Sequence, residues 1–85
     1  MYGFQPEPVA VVFYFDSAEY LRQFESFTAE PTPITRPHQN PATVMVWSVV
    51  GKMRFVDRRE VVAEFPAEVN ARTFADMANI VAAHV

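Results

Sequence analysis

Two stretches of this chain are apolar at almost every position: Val9-Ala10-Val11-Val12-Phe13-Tyr14-Phe15 and Val44-Met45-Val46-Trp47-Ser48-Val49-Val50. A strand with one wet face alternates apolar and polar residues, whereas an unbroken apolar run requires cover on both faces. Between them, Asp16-Ser17-Ala18-Glu19 reads as a capping box, with Asp16 accepting from first-turn amides and Glu19 reaching back to the cap amide. Tyr20, Leu21, Phe24, Phe27 and Thr28 then recur at helical spacing, with Glu19, Arg22, Gln23, Glu25 and Ser26 facing away. The pattern predicts a strand, then an amphipathic helix.

Residues 30–42 carry Pro31, Pro33, Pro37 and Pro41 and no apolar period. Proline fixes φ and biases its predecessor to extended conformations, so this segment is expected to be a connector running extended over the surface. The second strand runs from about Thr43 to Val50, and Gly51-Lys52 fits a two-residue hairpin turn with glycine first. A third strand begins at Met53. Asp57, Arg58 and Arg59 interrupt its alternation, which favours a turn there and a fourth strand over Glu60–Phe65, the alternative being one long bulged strand. A second helix follows, starting at Pro66 or behind Asn70 as cap. Its stripe is Phe74, Met77, Ala78, Val81 and Val85, flanked by Ala71, Ala75, Ala82 and Ile80.

The order β-α-β-β-(β)-α predicts an α+β domain, an antiparallel-dominated sheet of three or four strands with two helices on one face. It resembles an incomplete ferredoxin-like arrangement lacking the last strand, a likeness of fold that carries no function. Helices on one face leave the other sheet face apolar, and Val12, Tyr14, Met45, Trp47 and Val49 are the residues expected to associate there, most simply as a homodimer.

At 85 residues the chain is long enough for one domain, residues 1–85, with 1–8 expected to be either a loose N-terminal segment or one that folds over the open sheet face. The apolar content of 51% is well above that of disordered chains. There is no cysteine, which removes disulfides, thiolate catalysis and sulfur-ligated zinc. The N-terminal sequence has no basic n-region or small-residue cleavage site, and no apolar run approaches the roughly 20 residues that span a bilayer. A cytoplasmic protein without membrane association is the expectation.

The net charge is −3, unevenly spread. Residues 52–59 set Lys52, Arg54, Arg58 and Arg59 against Asp57, a local +3, while the remaining three cations face nine carboxylates, a net −6. A basic hairpin on an acidic body suits an acidic protein partner or phosphates. Lys52, Arg54, Arg58 and Arg59, with Arg36 and His38 of the proline segment, are the candidate contacts for a protein or nucleic acid.

Motifs for catalysis are missing. Ser17, Ser26 and Ser48 lack a nucleophile-elbow context. His38 and His84 are distant from each other and lack a nearby carboxylate at ligand spacing. The pairs Glu60/Glu64 and Glu19/Glu25 lie on solvated faces, and two glycines, Gly3 and Gly51, are too few for a phosphate loop. No metal or cofactor is expected. The sequence points to a small non-enzymatic protein-binding module of inhibitor or adaptor type, of the kind phages and mobile elements direct at host machinery. The alternative is a nucleic-acid-binding regulator using the 52–59 hairpin, and a third class is a small enzyme with Arg36 and His38 at a site between protomers.

Overall fold

The computed structural model describes residues 11–35, 37–40 and 42–84. Strands β1 (Val12–Phe13), β2 (Phe24–Thr35), β3 (Thr43–Met53) and β4 (Arg59–Phe65) form one antiparallel sheet in the order β1-β4-β3-β2. Helix α1 (Ala18–Leu21) precedes β2, and α2 (Glu68–Ala83) follows β4. This is the expected α+β class, with β1 at a sheet edge. The fourth strand exists in its own right, entered through a turn at residues 54–58 in which the Met53 amide donates to the Arg58 carbonyl at 2.9 Å.

The first predicted helix is mostly strand. α1 is a single turn, capped by Ser17, whose hydroxyl accepts from the Glu19 amide at 3.1 Å. Phe24 and Phe27, three apart, mimic a helical stripe. In the structure a register shift between Phe24 and Ser26 makes Glu25 the extra residue of a β-bulge, and both rings turn to the same buried side.

The proline segment is also strand. Glu30–Thr35 continue β2, paired with β3 as far as Thr35 opposite Thr43. The Phe27 amide and carbonyl both point away from β3, to Asn79 of α2 at 2.8 and 3.0 Å. By alternation Ala29, Pro31 and Pro33 also present their backbone to the free edge, so the prolines stand where a strand N–H would be unpaired. A proline there removes a donor the ladder does not use and protects the edge against adding another strand.

Gly51 does not turn the chain. β3 runs through it to Met53. A Cβ at Gly51 would come within 2.5 Å of Phe24 Cδ2 and 2.8 Å of Phe27 Cε1. The glycine is needed because two rings lie on the strand, not because φ is positive.

β4 carries a second bulge: Val49 faces Ala63 but Val50 faces Val61, leaving Val62 as the extra residue, so Val62 and Ala63 are both buried. α2 begins at Glu68 with Ala67 at the cap and no side-chain cap bond, so neither Pro66 nor Asn70 has the role the sequence suggested.

The core lies between the sheet and α2. Ala71, Ala75, Ala78 and Ala82 form the buried stripe of the helix, and their small side chains let it settle close over Phe24, Phe27, Val49, Ala63 and Phe65. Leu21 and Tyr20 of α1 join the same core. Arg54, in the turn between β3 and β4, donates to the Arg22 carbonyl at 3.0 Å and to the Ala82 carbonyl. It thus ties the exit of α1 to the C-terminus of α2, where a cation also suits the helix dipole.

The other sheet face is mixed rather than apolar. Register places Thr28, Glu30, Thr32 and Ile34 of β2 there beside Val44, Val46, Ser48, Val50 and Lys52 of β3. Val46 and Ser48 are fully buried, and the Ser48 hydroxyl donates to Thr32 Oγ1 at 2.9 Å. The β2–β3 ribbon extends past the end of β4, whose last pairing is Phe65 with Trp47. The radius of gyration is 14.9 Å, against about 12 Å for a compact chain of this length.

Candidate functional site

The predicted association face does not form one surface. Met45, Trp47 and Val49 point to the side of the sheet that carries the helices, where Val49 is fully buried beneath α2 and Trp47 packs on the core margin. Val12 lies on the opposite side beside Glu64, and the Tyr14 hydroxyl donates to that carboxylate at 2.9 Å. Of the five, Met45 and Tyr14 are the exposed ones.

The predicted contact residues separate as well. His38 sits, exposed and with φ 68°, in the tip between β2 and β3. Lys52, Arg54, Arg58 and Arg59 gather at the other end of the ribbon, some 30 Å away at the rise of a strand. Arg36 lies outside the described residues. The four hairpin cations are each engaged. Lys52 pairs with Glu25 at 3.2 Å, Arg58 with Glu60 at 3.0 Å, Arg59 with Glu30, and Arg54 holds two carbonyls. The local +3 of the sequence is therefore set against carboxylates that the fold brings in from β2 and β4. Such exposed pairs contribute little stability, about 0–1 kcal/mol each, but they leave the strip close to neutral.

What the sequence reading missed is an apolar trough between the segment of β1 and α1 and the outer flank of α2. Its floor is Leu21 and Ala78, its walls are Phe15, Phe74 and Val81, and Met77 and Ile80 form the rim of a groove of 380 Å³. A second hollow of 340 Å³ continues it past Phe13, Asp16 and Ser17, sharing Phe15, Ala18 and Phe74. The rim is well exposed, Met77 at 57%, Ile80 at 60% and Phe13 at 50%. The helix thus turns its alanines inward and Val69, Met77 and Ile80 outward, with Phe74 and Val81 half-buried between them, unlike an ordinary surface helix. A signal for this was present: the apolar arc of α2 is too wide for a single buried face.

A continuous series of rings lines this end of the molecule. Phe13 packs edge-on to Phe15 and Phe65 with centroids 5.8 Å apart, Phe74 lies 5.5 Å from Phe13, and Phe15 stacks over Tyr20 at 6.4 Å. The Tyr20 hydroxyl donates to Glu60 at 2.7 Å. Both tyrosines are held above the usual phenol range, first by their hydrogen bonds to Glu60 and Glu64, then by burial and by the charge of the same carboxylates. Their phenols are therefore neutral donors at physiological pH.

Among the described residues no group of three or more His, Asp and Glu could hold a metal ion, and no helix is long and apolar enough to cross a membrane. The chain matches no family model, no curated protein and no solved structure, so function is argued from this geometry.

Proposed function

We propose that the protein is a small protein-binding module, of inhibitor or adaptor type, that receives an apolar segment of its partner in the trough between α1 and α2. The observation that carries this reading is the exposure of Met77 and Ile80 around a hollow floored by buried Leu21 and Ala78, continued by a second hollow beside the exposed Phe13. Apolar surface of this kind costs free energy while it faces water, and contiguous exposed patches mark interaction sites. The engaged cations of the 52–59 hairpin favour this reading over phosphate binding. Inhibition or bridging then follows from occupancy of the partner's surface, without a chemical step.

The test is site-specific photocrosslinking in the native host. A benzophenone side chain at Ile80 is expected to give an adduct of defined mass, and the same group at Asp76, on the polar flank of α2, is expected to give none. Met77→Glu should abolish the adduct while leaving the far-ultraviolet dichroism unchanged. Equal adducts from both positions, or none from Ile80, would refute the assignment. An adduct of twice the chain mass would identify a second copy as the occupant.

A further inference from the structure

At the open end of the trough is a cavity of 470 Å³ lined by Phe13, Tyr14, Phe15, Tyr20 and Asp16. Its chemistry differs from that of the groove beside it. Four of the five lining residues are aromatic and the fifth is a carboxylate. Phe15 and Tyr20 lie nearly parallel, 15° apart with centroids 6.4 Å apart. The two tyrosine hydroxyls donate to Glu60 and Glu64. A phenol that donates to a carboxylate keeps its ring electron-rich, and ring faces attract cations through their quadrupole. Asp16 lines the cavity, Glu64 and Glu60 hold the hydroxyls of its Tyr14 and Tyr20, and Glu60 is also paired with Arg58. Among the described residues these three carboxylates against one guanidinium make the local field negative, and ring faces in such a field favour a soft, weakly hydrated cation over a neutral group of equal size.

We propose that this cavity is a cage for a methylated lysine ammonium, presented by the protein partner whose apolar segment fills the trough. The proposal rests on the protein-binding reading above and names the partner's chemistry: a cationic side chain next to an apolar run. Phe13, Tyr14, Phe15 and Tyr20 supply the aromatic lining, and Asp16 supplies a carboxylate that has no ion pair among the described residues.

The experiment uses the full chain and three probes, read by the ring resonances of Phe13, Phe15 and Tyr20 in NMR titrations. The first probe is a capped tripeptide with trimethyllysine at its centre. The second is the same peptide with the neutral tert-butyl carbon isostere. The third is a phosphatidylcholine vesicle. The trimethyllysine peptide is expected to shift the three rings saturably and to bind about fivefold to thirtyfold tighter than its isostere, the ratio a partly desolvated cation–π site supplies. Asp16→Asn, an exposed position outside the core, should weaken the trimethyllysine peptide and leave the isostere unchanged. Equal binding of peptide and isostere, absence of ring shifts with any probe, or binding of the vesicle without binding of the peptide would overturn the cage. The short peptides do not reach Met77 or Ile80, so a failed cage with a successful crosslink at Ile80 removes this inference alone, and the reverse removes the trough.

Discussion

Replacing Gly51 with alanine tests the most specific packing claim in the fold. The new Cβ would stand 2.5 Å from Phe24 Cδ2, 2.8 Å from Phe27 Cε1 and 2.9 Å from Phe24 Cε2. Neither ring has room to withdraw. Phe24 is 0% and Phe27 3% exposed, their centroids are 5.2 Å apart, and Tyr20 holds Phe24 from the other side at 5.3 Å. Overfilling a packed core costs about 1–3 kcal/mol. Alanine restricts the unfolded chain more than glycine does, which offsets about 0.4–1 kcal/mol of that. The net expectation is a loss of about 1.3 kcal/mol, a drop in Tm of roughly 5–10 °C for a domain of this size. Urea unfolding followed by far-ultraviolet dichroism gives the number. Gly51→Asn separates the strand from a tight turn. In a turn that needs a left-handed residue asparagine is tolerated better than alanine; beneath two rings it is worse, because it is larger and polar. A Gly51→Ala protein within 0.5 kcal/mol of the parent, or a Gly51→Asn protein more stable than Gly51→Ala, would refute the argument.

Arg54→Ala removes the donor shared by the Arg22 and Ala82 carbonyls and is expected to cost about 1.5–3 kcal/mol in urea unfolding, with Arg54→Lys recovering less than half because a lysine lacks the planar fork. Asn79→Ala should cost about 1–3 kcal/mol and speed hydrogen exchange at the Phe27 amide, whose partner is the Asn79 carbonyl oxygen at 2.8 Å. Pro31→Val with Pro33→Val restores two edge donors; concentration-dependent light scattering should rise, and unchanged solubility would show that the prolines do not guard the edge. For Tyr20, folded-state pKa above the unfolded value means that the folded protein holds the proton longer, so stability from this group is full below about pH 10 and falls as pH rises through the folded pKa. Tyr20→Phe should flatten that alkaline loss, and an identical alkaline slope in both proteins would exclude the tyrosine as its source.

Several features of the fold were legible along the chain because they depend on neighbours in sequence. The apolar run Val44–Val50 marked a central strand and the Asp57-Arg58-Arg59 interruption marked the reversal into β4, whereas the stripe expected of α2 through Phe74, Met77, Ala78 and Val81 shares only Ala78 with the buried one, Ala71, Ala75, Ala78 and Ala82. Basic residues at 52–59 were also legible, and Glu60 stands beside them in sequence, but Glu25 and Glu30 arrive from β2, whose register no local pattern reveals.

The misread segment, residues 24–35, shows where local signals fail. Phe24 and Phe27 at a spacing of three satisfy a helix, and also satisfy a strand once a bulge at Glu25 supplies the missing half-turn. Pro31 and Pro33 argue against a strand except on an edge at outward-facing positions, and only the sheet order β1-β4-β3-β2 establishes that β2 is such an edge. Gly51 reads as a turn until two rings are laid over it. The trough and the ring-lined cavity belong to the same category, since Phe13, Phe15, Tyr20, Phe74 and Ile80 meet only when α2 folds back beside α1. The sequence by itself determined that the chain is apolar enough to fold and the α+β class it builds, because composition and period are local properties. Tertiary structure alone decided which apolar residues stay outside, because four alanines fill the space above the sheet and leave Val69, Met77 and Ile80 of α2 facing the solvent.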